Sequence, residues 1–92
     1  MKRVHLEIRG RVHGVFFRVS AQRDATTRGL RGWVRNRTDG AVEAVAEGPV
    51  EAVDEFVEWC HAGPQMARVS SVAIVEEDVV GLEEGFHVRP SL

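Results

Sequence analysis

The stretch Val4-His5-Leu6-Glu7-Ile8-Arg9-Gly10-Arg11-Val12-His13-Gly14-Val15-Phe16-Phe17-Arg18 sets the fold, because its patterning changes partway along. Val4, Leu6 and Ile8 alternate with His5, Glu7 and Arg9, the period of two that lets a strand bury one face. The alternation stops at Gly10, and a glycine-bearing loop runs on to Phe17. From Arg18 to Arg28 there is neither Gly nor Pro, and Ala21 and Ala25 stand four apart, which predicts a helix stopped by Gly29.

Further along, Leu30 to Arg37 and Ala41 to Glu47 read as two short strands. Thr38-Asp39-Gly40 joins them as a hairpin, since Asp-Gly readily takes positive φ, but the pattern alone leaves their inward faces undecided. Gly48-Pro49 opens a second helix, with Glu51 and Asp54 suited to its positive end. Val50, Val53, Phe56, Val57 and Cys60 fall on one helical stripe, and Gly63-Pro64 supplies the stop. Arg68 to Glu77 holds the β-branched residues Val69, Val72, Ile74 and Val75, and Gly85 to Arg89 offers a last short strand. The order is βαββαβ with a short extra terminal strand. It predicts an α+β, ferredoxin-like α/β sandwich, an antiparallel sheet covered on one face by two helices.

With 92 residues the expectation is a single domain, 1–92, because domains usually run from about 50 to 200 residues. No apolar run reaches the roughly 20 residues of a membrane span, and the first residues lead into strand alternation instead of a signal-peptide core. Cys60 is the only cysteine, which excludes an intrachain disulfide and a cysteine-based zinc site. A cytoplasmic protein that does not bind membranes is expected. The net charge of -2 hides a division: residues 1–40 hold ten Lys+Arg against three Asp+Glu, and residues 41–92 hold two against eleven. Such a basic front attracts anions or nucleic acid, or else it pairs with the acidic back. Charge by itself does not choose.

The loop before the first helix is more selective. A helix must satisfy its first N–H groups, usually with Ser, Thr, Asp or Asn at the cap and acids in the first turn. Val15, Phe16 and Phe17 cannot cap through their side chains, Asp24 comes too late, and Arg18 puts a cation where the dipole is already positive. An external anion would resolve the conflict, with free amides, the permissive Gly14 and a guanidinium fork together describing a phosphate site. A helix capped by water beside a solvated Arg18 is the plainer alternative.

Gly10-Arg11-Val12-His13-Gly14-Val15-Phe16-Phe17-Arg18 resembles the acylphosphatase signature G-x-V-Q-G-V-x-F-R. Gly32-Trp33-Val34-Arg35-Asn36-Arg37-Thr38-Asp39-Gly40-Ala41-Val42-Glu43 is similar to that family's second signature, G-W-V-x-N-x-x-D-G-x-V-E. Gly48, Phe56, Gly63-Pro64, Ala67, Val69 and Val72 also follow the family pattern, so the resemblance spans nearly the whole chain. It implies the same ferredoxin-like fold and metal-independent hydrolysis of acyl phosphates to carboxylate and inorganic phosphate, with phosphate as product and competitor. By the same resemblance Arg18 and Asn36 are the catalytic residues. Arg18 binds phosphoryl oxygens, the backbone from His13 through Gly14, Val15, Phe16 and Phe17 to Arg18 takes the others, and Asn36 holds the attacking water. No general base stands out, and the substrate's own carboxylate has been considered for that task in this family.

No cofactor or metal is expected, since His5, His13, His61 and His87 lack paired ligand spacing. Phe16 and Phe17 are expected to anchor the loop, and Trp33 to belong to the core. His13 replaces the usual glutamine, which raises the expectation of an altered loop or of pH-dependent binding. Val19 also departs from the aromatic or polar residue often found there. A monomer is expected. Two rivals are a non-catalytic ferredoxin-like RNA-binding or regulatory module, which the lack of stacking aromatics on the first strand counts against, and the acylphosphatase-like domain of hydrogenase-maturation carbamoyl transferases.

Overall fold

The computed structural model describes residues 1–81 and 84–92. Its elements are β1 (Lys2–Arg11), α1 (Phe17–Thr27), β2 (Arg31–Asn36), β3 (Val42–Gly48), α2 (Val50–Ala62), β4 (Arg68–Glu77) and β5 (Phe86–Val88). One sheet runs in the order β4-β1-β3-β2-β5. The four long strands pair antiparallel. The expectation of a wholly antiparallel sheet needs one correction: β5 lies parallel to β2, matching Gly32 with Phe86 and Val34 with Val88. The chain reaches β5 from the far edge strand β4, so it enters beside β2 in the same direction.

The alternation in β1 sends Val4, Leu6 and Ile8 to the helix-covered face, each 1% exposed or less. That face is completed by Val34, Val42, Ala44 and Ala46 below and by Ala21, Ala25, Val53, Phe56 and Cys60 above. Alanines at 21 and 25 let α1 approach the sheet closely. Phe56 joins the layers, its ring 5.5 Å from Phe86 and 6.2 Å from Trp59. Burial pushes the Cys60 thiol up, so it remains a protonated core side chain. β4 is an edge strand: Val69 and Val72 pack on the core while Ile74 and Val75 stay exposed.

The other sheet face is polar but not open. Glu43 takes hydrogen bonds from His5 (2.6 Å) and Arg35 (2.8 Å), and Glu47, 1% exposed, accepts from the Val80 amide at 3.0 Å. Burial raises the Glu43 pKa, but those hydrogen bonds and the charges of Arg35 and His5 outweigh it and hold the carboxyl below its usual range. Lys2–Asp54, Arg3–Glu77 and Arg28–Glu55 further join basic front to acidic back. Much of the charge division along the chain is thus answered internally.

Candidate active site

The loop between β1 and α1 begins at a β-bulge. Pairing between β1 and β4 shifts register between Arg9 and Gly10. Gly10 has φ 128°, and a Cβ there would fall 2.1 Å from the Arg68 carbonyl oxygen, so only glycine lets the chain leave the sheet here. Three buried side chains then pin the loop: Val12 (1% exposed), Val15 (2%) and Phe17 (2%), the last with its ring 5.4 Å from Trp59. Phe17 is the expected anchor. Phe16 is not, because its backbone is left-handed (φ 64°, ψ 25°) and its side chain is 71% exposed. A non-glycine residue in that conformation costs on the order of 1 kcal/mol or more, and the flanking pins hold it there.

Helix α1 starts without help from its own side chains. Phe16 stands at the cap position, no side chain caps the helix, and the first turn contains no acid. The Ser20 amide is the first of the helix to find a partner, the Phe16 carbonyl at 3.1 Å. Among the described residues, the amides from His13 to Val19 have no protein acceptor, and Arg18 has neither an ion pair nor a hydrogen bond. Unpaired amides, the helix dipole and the Arg18 guanidinium therefore lie close together with no acid in the helix's first turn.

Asn36 closes the other side. It continues the row Gly32, Val34 on β2, so its side chain belongs to the helix-facing side of the sheet. Its backbone carbonyl accepts from the Leu92 amide at 3.1 Å, whereas its side-chain oxygen Oδ1 is buried without a hydrogen-bond partner. Such an atom costs about 1–3 kcal/mol and is rare in folded proteins. Both Arg18 and Asn36 line one cavity of about 490 Å³, whose wall also carries Gly14, Phe16, Val19 and Val88. Gly14 has φ 70° with open space where a Cβ would lie, so its backbone can face a ligand directly.

Two of the expected binding residues, His13 and Val15, are not among those that line the cavity. Val15 points into the core, and the His13 ring lies outside the cavity wall. His13 Nε2 sits 2.8 Å from the Ala41 carbonyl oxygen and donates to it, tying the loop to the hairpin that follows Asn36. The same carbonyl accepts from the Arg37 amide at 2.8 Å, and Asp39 accepts from the Ala41 amide at 3.1 Å. Sequence reasoning gave Val88 no role. A residue near the chain end in a strand of three offers no local signal, and only the parallel pairing with β2 brings it to the cavity. Trp33, expected in the core, lies on the outer sheet face with the Arg35 and Arg89 guanidiniums 4.8 and 4.9 Å from its ring.

Fold and loop together define a small α+β sandwich whose first helix starts without a side-chain cap or an acid in its first turn. The Acylphosphatase family model matches residues 4–88, and the chain belongs to the acylphosphatase family. It is 54% identical to an acylphosphatase of Rubrobacter xylanophilus over 96% of this chain and 80% of that protein. The crystal structure of acylphosphatase from Bacillus subtilis superposes with a TM-score of 0.93 at 37% identity, covering 97% of this chain and 99% of that one. HypF of Thermococcus kodakarensis matches with a TM-score of 0.85 at 32% identity, covering all of this chain but 12% of that protein.

Proposed function

We propose that this chain, as a single domain of residues 1–92, hydrolyses the carboxyl–phosphate bond of acyl phosphates at the cavity between α1 and the end of β2. The observation that carries the reading is the coincidence, around one cavity, of an unpaired guanidinium, amides without acceptors and a buried carboxamide oxygen without a partner. Arg18 takes two phosphoryl oxygens with its planar fork, which lysine cannot reproduce. The amides from His13 to Arg18 take the others and stabilise the charge that spreads over the transferred group. Asn36 orients the water: its Oδ1 accepts a water hydrogen, and a carboxamide adds no charge to repel the substrate.

Water oxygen forms the new bond to phosphorus while the bond to the acyl oxygen breaks, its electron pair leaving on the carboxylate. The proton shed by the water passes to the leaving carboxylate or a phosphoryl oxygen, so no protein base is assigned. A carboxylate leaves readily, and positioning with charge stabilisation therefore suffices without metal or cofactor. No helix among the described residues is long and apolar enough to cross a membrane. The reading is of a cytoplasmic, monomeric enzyme acting on a small molecule. Turnover of benzoyl phosphate in excess EDTA, with inorganic phosphate competing, is the expected result. A strict requirement for added divalent metal would overturn the mechanism.

A further inference from the structure

The cavity lined by Arg18 and Asn36 also has an apolar rim. Three exposed apolar side chains rim it, each from a different element: Phe16 from the loop (71% exposed), Val19 from the first turn of α1 (45%) and Val88 from β5 (40%). Single exposed apolar residues are ordinary, but three elements converging on one cavity are not. The left-handed backbone at Phe16 carries its ring outward while Phe17 turns into the core. Arg18 is the one cation among the described lining residues, and in the proposed reaction the phosphoryl group engages it. A second negative charge on the substrate would find no further cation there.

We infer that Phe16, Val19 and Val88 form the acyl subsite, and that the preferred substrates are phosphates of apolar carboxylic acids, not of dicarboxylic acids. The inference rests on the acylphosphatase reading. An apolar acyl chain displaces water from the rim, whereas a carboxylate there loses hydration without compensation. An enclosed methylene changes kcat/KM by roughly 10-fold or more, and this open rim should give roughly 3- to 10-fold. Position 16 falls where the family signature leaves the residue open, and Val19 lies just past it, so acyl preference can vary without disturbing Arg18.

The test compares kcat/KM for acetyl, butyryl and succinyl phosphate, each with its spontaneous breakdown subtracted. Butyryl phosphate should exceed acetyl by roughly 3- to 10-fold and succinyl by about 10-fold or more. Val19→Ser and Val88→Ser should bring the butyryl-to-acetyl ratio toward one, and Val19→Lys should raise succinyl relative to butyryl. A wild-type ratio near one, or a ratio unmoved in both serine variants, overturns the subsite. Failure to turn over any of the three overturns the acylphosphatase reading instead.

Discussion

The two helices begin in opposite electrical states. Neither has a side-chain cap, but α2 follows Pro49, carries Glu51 in its first turn and meets the protein's own needs. Helix α1 follows a strained Phe16, has no acid in its first turn and places Arg18 against its own dipole. Within one small fold the same structural problem is thus solved at one site and left unsolved at the other. In the proposed function the unsolved one is where a bound phosphoryl group completes the structure.

The most forceful way to break this contrast is to remove the cation. Arg18→Ala should lower kcat/KM for benzoyl phosphate by roughly a thousand-fold or more and abolish competition by inorganic phosphate. Near-native activity would mean that the amides suffice and that Arg18 is a surface residue. Asn36→Ala should lower kcat by about a hundred-fold while the inhibition constant for phosphate stays within a few-fold, because this side chain is assigned to the water. Equal loss of both would move Asn36 to the anion's side of the cavity.

How much of this was legible in the sequence follows from the range of the forces involved. Local periodicity fixed β1, and the apolar stripe with its Gly-Pro stop fixed α2, because both depend on neighbours a few residues apart. The α1 conflict was equally readable, since capping and dipole effects act within one turn. The parallel placement of β5, the rim position of Val88 and the burial of Glu47 beneath Val80 were not, because each depends on chain segments brought together only by the fold. Phe16 and Phe17 are adjacent and chemically identical. What separates a cavity wall from a core anchor is one left-handed backbone step that no hydrophobicity pattern encodes.

His13 sharpens the comparison at intermediate size. Its Nε2–H supports the hairpin carbonyl of Ala41 and so holds the incomplete turn of α1 against the strand end that carries Asn36. As a positioning residue it should show a loss of about 10-fold in kcat/KM on change to Ala, with much of it recovered in His13→Gln, whose amide can donate to the same carbonyl. The pH–rate curves of wild type and His13→Gln test the expectation of pH-dependent binding: a displaced wild-type curve supports it, and identical curves discard it.

The smallest effect tests the contrast most directly, because it concerns stability and not turnover. Removing a like charge from the start of α1 and an opposite charge from the start of α2 should act with opposite signs. Without phosphate, Arg18→Gln should raise the free energy of unfolding by about 0.3–1 kcal/mol and Glu51→Gln should lower it by a similar amount. Added inorganic phosphate should stabilise the wild type and Glu51→Gln by mass action but leave Arg18→Gln nearly unmoved. Urea titrations with and without phosphate measure all of these. If Arg18→Gln were instead destabilising by more than about 1 kcal/mol, the protein's own groups would be satisfying that guanidinium, and the two helix starts would differ in sequence without differing in purpose.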